Sequence, residues 1–187
     1  EIRLSLVGSE MCIRDRYYPP KHIHYLREWC VMNKNGTKKL AVSIAISLGT
    51  GLLSVLLTLG NFKTYSTLVQ PPLAPPGWLF PVVWTILYIL MGVSAYLVYE
   101  CDTEEKYIGL AVYVLQLIFN FLWLIIFFNI RNLLFAFVWL VFLWVLVLAM
   151  TISFYKVNKT AGLLQIPYLL WVTFAGYLNI ALYILNK

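Results

Sequence analysis

Charge is scarce in this chain. Only 12% of its 187 residues are Asp, Glu, Lys or Arg, whereas 61% are hydrophobic. A soluble domain of average composition carries about 25% charged residues. Five runs without Asp, Glu, Lys, Arg or His each exceed the roughly 18 residues that indicate a transmembrane helix. These runs cover 40–62, 64–99, 107–130, 132–155 and 160–186.

The runs also lack the alternation of polar and apolar residues that a transmembrane barrel requires. The sequence therefore predicts an all-α integral membrane protein, a bundle of five transmembrane helices within a domain covering 32–187. The spans are expected at about 39–60, 78–99, 107–128, 133–155 and 160–185.

No titratable acid or base lies inside these spans. Proton relays and ion pathways in membranes usually contain such residues. Their absence argues against ion-coupled transport, and it excludes hydrolytic triads and carboxylate pairs. No acid–base catalytic residue is predicted.

The first 31 residues differ from the rest and are expected to be a non-native or disordered extension. They begin with Glu rather than Met, and no apolar segment follows a basic one as in a signal peptide. His22, His24 and Cys30 lie here, but a closed zinc site needs four placed ligands. No metal site is predicted.

The net charge of +6 is explained by the positive-inside bias of membrane proteins rather than by nucleic-acid binding. Six basic residues flank one side of the predicted spans, namely Lys34, Lys38, Lys39, Lys106, Lys156 and Lys159. Three flank the other side, namely Lys63, Arg131 and Lys187. The N-terminus is therefore expected in the cytoplasm, and the short loops suit a bacterial inner membrane.

Small residues recur every four positions in the first span, in the rows Ala41, Ala45, Gly49 and Ser43, Ser47, Gly51. Such rows let helix backbones approach closely in lipid. Packing within the bundle and a homodimer face remain alternative explanations.

Three other spans combine aromatic and polar residues at helical spacing. A proline-dense loop at 71–77 leads into the second span, and Pro167 is expected to kink the fifth. The fourth span is interpreted as mainly lipid-facing packing. Large apolar pockets with a few polar groups are typical small-molecule sites. The predicted pocket wall consists of Trp84, Tyr88, Gln116, Asn120, Trp123, Tyr168 and Trp171.

Three blocks of the chain resemble the translocator protein / tryptophan-rich sensory protein family, also called the peripheral benzodiazepine receptor family. They read PPLAPPGWLFPVVWTILYILMGVSAYLV, QLIFNFLWLIIFF and IPYLLWVTFAGYLN. The resemblance covers about 40–187. It implies a five-helix bundle, often dimeric, that binds porphyrins, sterols and synthetic isoquinoline- or benzodiazepine-type ligands.

The resemblance also implies individual site residues. Trp84 and Trp171 match the tryptophans linked to porphyrin chemistry, and Ala175 matches an alanine that affects ligand affinity. Trp78 and Leu178 also match family positions, as do Asn120 and Trp123, whereas Leu73 and Phe135 stand where many members carry tryptophan. Altered ligand preference is therefore expected.

The leading hypothesis is a membrane-embedded protein that binds or senses porphyrin or haem and has a role in its transport, its sequestration or stress signalling. Such a protein needs no cofactor. One alternative is a light- or oxygen-dependent porphyrin-degrading enzyme that uses Trp84 and Trp171. Another is a sterol or lipid carrier.

Overall fold

The computed structural model describes residues 36–58, 60 and 68–187. The predictions for residues 1–31 lie outside these residues. Six α-helices follow one another in these residues: α1 Gly36–Thr58, α2 Leu79–Tyr99, α3 Glu105–Ile125, α4 Leu133–Val157, α5 Lys159–Leu163 and α6 Ile166–Leu185. A short π-helix, Ile126–Ile130, continues α3 to the end of the third span. These helices form five segments long and apolar enough to cross a membrane, because α5 and α6 together make the fifth. The all-α, five-span fold class is confirmed.

Asparagine side chains start two of the helices. Asn132 Oδ1 accepts a 3.0 Å hydrogen bond from the Phe135 N–H at the start of α4. Asn158 Oδ1 accepts one of the same length from the Ala161 N–H at the start of α5. Each satisfies a helix N–H that has no partner within the helix, which permits the tight reversals between adjacent spans.

The fifth span is broken rather than merely kinked at Pro167. Helix α5 ends at Leu163, and α6 begins at Ile166 with Pro167 in its first turn. Proline is tolerated there because the N–H it lacks would have no partner within the helix. The predicted interruption is therefore present, but the chain turns before the proline and starts a new helix.

Helix α4 has a buried face as well as an exposed one. Leu143, Val147, Met150 and Phe154 are fully buried at three- and four-residue steps, and α4 packs against α3, α5 and α6. The interpretation of this span as mainly lipid-facing is therefore incomplete. Because the sequence of α4 is apolar on every side, hydropathy alone does not show which side faces the bundle.

Helix α1 packs on α2 through small residues. Ser43 Oγ donates a 2.7 Å hydrogen bond to the Gly92 carbonyl, and Ser47 and Gly51 on the same row are buried. The other row, Ala41, Ala45 and Gly49, is exposed. One row thus serves packing within the bundle, and the outward row is the one available for contact with a second molecule.

Candidate functional site

A cavity of about 510 Å³ lies between four helices. It occupies the end of the bundle where α1, α3 and α6 finish and α2 begins. Its volume falls in the range of roughly 300–1,000 Å³ that is usual for small-molecule sites. The lining consists of Gly51, Ser54, Val55, Gly77, Phe80, Pro81, Trp84, Tyr88, Trp123, Leu124, Phe127, Phe128, Ala175, Leu178, Asn179 and Leu182.

Trp84 is the centre of an aromatic wall. Its ring centroid lies 5.7 Å from that of Tyr88, 6.4 Å from that of Trp123 and 6.1 Å from that of Tyr168. The wall continues from Trp123 to Phe127, whose centroids are 5.6 Å apart. Aromatic pairs at these separations attract one another through their quadrupoles as well as by burial. Rings from α2, α3 and α6 are thereby held in fixed relative positions.

A chain of buried hydrogen bonds adjoins this aromatic wall. Tyr88 Oη donates to Asn120 Oδ1 at 2.7 Å, and Asn120 Nδ2 donates to Tyr168 Oη at 2.9 Å. Tyr168 Oη in turn donates to Gln116 Oε1 at 3.0 Å, and Gln116 Nε2 contacts Met91 Sδ at 3.5 Å. Buried amides and phenols are costly without partners. The chain therefore links α2, α3 and α6 and fixes the orientation of Tyr88 in the cavity wall.

Two polar side chains of the lining lack partners. Among the described residues, neither Asn179 Nδ2 nor Asn179 Oδ1 makes a hydrogen bond, and the Trp123 indole N–H makes none. Asn179 is 1% exposed. Native proteins leave few such groups unsatisfied, so each one calls for an explanation. In a ligand cavity, a bound molecule is the natural partner.

The loop before α2 is attached to the end of α6. The Val69 N–H donates to Asn186 Oδ1 at 2.9 Å, and Asn186 Nδ2 donates back to the Val69 carbonyl at 3.1 Å. Tyr177 Oη donates to the Pro72 carbonyl at 2.9 Å. The loop reaches the lining at Gly77. Helix α6, which lines the cavity, thus also holds the loop before α2 in place beside the cavity.

The structure distributes the eleven sequence-predicted site residues among three environments. Trp84, Tyr88, Trp123, Ala175 and Leu178 line the cavity. Gln116, Asn120 and Tyr168 belong to the buried hydrogen-bond chain instead. The remaining three lie elsewhere, namely Trp78, Phe135 and Trp171.

Those three residues fall outside the lining for different reasons. Trp78 is 67% exposed at the start of α2. Phe135 is 44% exposed and packs 6.1 Å from Trp139 on α4, which does not reach the cavity. Trp171 is half-buried, with its ring 6.0 Å from Phe80. Phe80 itself lines the cavity, so Trp171 contacts a lining residue without lining the cavity.

Sequence reasoning missed the contributions of α1 and of Asn179. Ser54 and Val55 come from a helix that was interpreted only as a surface for packing within the bundle or for a homodimer. Asn179 is in the quoted block of the fifth span, one helical turn after Ala175. Its amide in an otherwise apolar stretch was the signal that could have identified it.

The described lining contains no Asp, Glu, Lys, Arg or His. Within residues 36–58, 60 and 68–187, no group of three or more His, Cys, Asp or Glu side chains is placed to hold a metal ion. The cavity therefore offers aromatic contact and a few neutral hydrogen bonds. It can bind a flat apolar molecule without forming an ion pair to it.

Five apolar spans, four of which enclose this cavity, define an integral membrane protein with an internal cavity of small-molecule size. The model of the TspO/MBR family matches residues 41–185. The chain belongs to this family.

Characterised relatives agree with this assignment. The chain is 41% identical to the tryptophan-rich protein TspO of Chlorobaculum tepidum and 42% identical to protein CrtK of Rhodobacter capsulatus. Each of these matches covers 65% of this chain and 78% of the relative. It is 34% identical to the translocator protein of Bos taurus over 71% of this chain and 80% of the relative.

Proposed function

We propose that this protein binds a porphyrin or haem in the cavity between α1, α2, α3 and α6. The observation that carries the proposal is the aromatic wall of Trp84, Tyr88 and Trp123, drawn from two helices and bordered by Phe127. Flat conjugated rings gain most from flat aromatic surfaces. A lining without charged side chains favours the apolar body of the macrocycle, whose carboxylates would stay toward the loop at 68–77.

Tryptophan fluorescence quenching by protoporphyrin in detergent tests the proposal. Trp84→Phe keeps a ring but loses the larger indole surface, so we expect its affinity to fall about fivefold, corresponding to roughly 1 kcal/mol. Trp144→Phe is the matched control, because its indole N–H bonds Thr173 Oγ1 at 2.8 Å and it does not line the cavity.

Equal affinities for Trp84→Phe and Trp144→Phe would rule out the assigned site. The tryptophan pair that the family resemblance implies is tested alongside. Trp84→Phe combined with Trp171→Phe should weaken binding no further than Trp84→Phe alone if Trp171 only supports Phe80. A sterol that binds as tightly as protoporphyrin would favour the sterol-carrier alternative.

A second candidate function is the breakdown of a bound porphyrin under light and oxygen. It is favoured by the contact between Trp84 and Trp123, two indoles 6.4 Å apart that can pass an electron to an excited macrocycle without an acid or base. Illumination with protoporphyrin should bleach the Soret band faster than free tryptophan does, and Trp84→Phe should slow this bleaching. Bleaching no faster than with free tryptophan would exclude the activity.

We further propose the cytoplasmic membrane as the location, with the start of α1 on the cytoplasmic side. Lys38, Lys39, Lys106 and Lys156 lie at that end of the bundle, and Arg131 lies at the other. Labelling of Lys156→Cys and Arg131→Cys in intact cells with a membrane-impermeant maleimide, after replacement of the native cysteines, tests this. Only Arg131→Cys should react, and labelling of Lys156→Cys alone would reverse the orientation.

A homodimer is proposed through the outward row Ala41, Ala45 and Gly49 of α1, where a second backbone could approach closely. Ala45→Phe should then shift the protein from dimer to monomer in mild detergent. Ile46→Phe should not, because Ile46 is exposed but lies about 100° around the helix from Ala45. A mass unchanged by Ala45→Phe would place any dimer contact elsewhere.

A further inference from the structure

The loop before α2 runs back along the side of α6. At its start, Val69 is hydrogen-bonded to Asn186, which directly follows the last residue of α6. Three residues later, the Pro72 carbonyl accepts a hydrogen bond from Tyr177 Oη. Tyr177 lies eight residues before Leu185, which corresponds to about 12 Å along a helix axis. The loop therefore leaves the end of α6 and descends beside it.

The start of α2 lies deeper still. Phe80, in the first turn of α2, has its ring centroid 6.0 Å from that of Trp171 on α6. Trp171 lies 14 residues before Leu185, or about 21 Å along the axis. The chain from Val69 to Phe80 is thus placed beside roughly the last four turns of α6.

These last turns of α6 have the surface of a membrane span. The sequence holds no charged residue over 160–186, and Lys187 is the first charged residue after α6. In the last turn, Ile184 and Leu185 are exposed apolar side chains, whose hydration is unfavourable. A bilayer that extends to Lys187 covers them. It then also surrounds the loop that lies beside them.

The backbone of the loop suits an apolar environment. Non-helical backbone at membrane depth must have its N–H and C=O groups satisfied. Four of the six residues over 71–76 are prolines, which carry no N–H. The Ala74 N–H donates to the Pro71 carbonyl at 3.1 Å, and the Pro76 carbonyl accepts a 2.9 Å hydrogen bond from the Leu79 N–H. Few free donors therefore remain in this stretch.

Leu73 is held in a conformation that leucine rarely adopts. The hydrogen bond between Ala74 and Pro71 closes a turn in which Leu73 is the third residue, with φ 71°. Glycine is the usual residue at such a position, because positive φ crowds a Cβ. The Leu73 side chain is also 79% exposed, so packing within the protein does not explain why leucine stands here.

We propose that residues 69–78 form a re-entrant loop of the membrane domain, and that Leu73 contacts the acyl chains of the surrounding lipid. The lipid surface that covers Ile184 on α6 then continues over the loop. Burial of Leu73 in lipid offsets the strain of its backbone. Trp78, 67% exposed where α2 begins, is the second apolar contact. This inference goes beyond the proposed function, since it holds whichever ligand the cavity takes.

Electron paramagnetic resonance of a nitroxide label tests the insertion. The label is attached to single cysteines in the full chain, after replacement of the native cysteines, and the protein is placed in nanodiscs of phosphatidylcholine and phosphatidylglycerol. Collisions of the label with oxygen, which concentrates in hydrocarbon, are compared with its collisions with a nickel chelate, which stays in water. The ratio of the oxygen rate to the nickel rate rises with depth in the bilayer.

The label on Leu73→Cys should give a high ratio, equal to that on Val82→Cys. Val82 is exposed near the start of α2 and serves as the lipid-facing reference. Lys187→Cys is the aqueous reference. Gln70→Cys is the matched control, because Gln70 is exposed on the same loop but directly follows the residue bonded to Asn186. Its ratio should be as low as that of Lys187→Cys.

Trp78→Cys provides a second test position, so the result does not depend on one variant. Its label should give the same high ratio as the label on Leu73→Cys. A ratio as low as that of Lys187→Cys at both positions would place the loop in water and overturn the inference.

Low collision rates with both reagents at Leu73→Cys would also overturn it, because protein rather than lipid would then cover the label. Dipolar broadening between labels would in that case identify the covering protein as a second copy of this chain. Protoporphyrin binding is measured in the same nanodiscs. Loss of that binding with the high ratio intact would overturn the proposed function alone.

Discussion

The phenol of Tyr88 on α2 donates a 2.7 Å hydrogen bond to the Oδ1 of Asn120 on α3. Both residues are buried, and Asn120 is fully so. The bond couples the aromatic wall of the cavity to the hydrogen-bond chain that continues to Tyr168 and Gln116. Ligand binding and bundle stability therefore share these side chains.

A double-mutant cycle measures this coupling. Tyr88→Phe and Asn120→Leu should each destabilise the bundle in detergent, with Asn120→Leu costing more because it leaves both Tyr88 and Tyr168 short of a partner. Interhelical hydrogen bonds in membranes contribute about 1 kcal/mol, so the coupling energy should be about that size. Strictly additive effects in a denaturant titration would show that the bond contributes nothing.

Gly92 is required by the close approach of α1 and α2. A Cβ at this position would lie 2.6 Å from Ile44 Cα, which is backbone and cannot move aside cheaply. Gly92→Ala should destabilise the protein by about 2 kcal/mol, the cost of overpacking. The thermal unfolding midpoint in detergent checks this.

Gly49→Ala is the control for that prediction. No described atom lies within 4 Å of a Cβ built at Gly49, and the position is on the exposed face of α1, the helix that Gly92 meets. The midpoint of Gly49→Ala should remain at the wild-type value. A comparable loss in both variants would mean that glycine matters for the helix backbone rather than for the contact with α2.

Asn186 holds the loop beside the cavity through two hydrogen bonds to Val69. Asn186→Leu removes both, so the Val69 amide should exchange its hydrogen about fivefold faster, the effect of roughly 1 kcal/mol. Hydrogen exchange followed by mass spectrometry of the loop peptide reports this. Lys187→Ala, at the exposed neighbouring position, should leave the rate unchanged.

The same variant separates access from affinity. If the loop controls entry, Asn186→Leu should raise the association and dissociation rates of protoporphyrin together and leave the equilibrium affinity nearly unchanged. A change in the dissociation rate alone would assign Asn186 to ligand contact rather than to the attachment of the loop.

Ala175 provides space in the cavity. It lines the cavity from α6, so Ala175→Leu should place three additional carbons inside and lower the affinity for protoporphyrin about tenfold while leaving the fold stable. Gly176→Ala is the adjacent control, because its Cβ would meet Leu140 Cδ2 at an ordinary 3.9 Å. Equal affinities in the two variants would show that the ligand does not occupy the space beside Ala175.

Membrane insertion and the number of spans could be predicted from the sequence, because charge-free runs of this length have few alternatives in a chain that must satisfy its backbone in lipid. The polar stripe of the third span was equally informative. Gln116 and Asn120 had to face the interior, since amides in hydrocarbon need partners, and their hydrogen bonds to Tyr168 are the observed solution.

Tertiary structure decided which aromatic residues form the cavity. Trp84 and Trp171 were equivalent by sequence, yet one lines the cavity and the other packs behind Phe80. The inward face of α4, the role of α1 in the lining and the isolation of Asn179 were likewise set by how the helices are rotated and by the break before α6. Where lipid and protein interior are both apolar, hydropathy cannot distinguish a face that meets one from a face that meets the other, and only packing does.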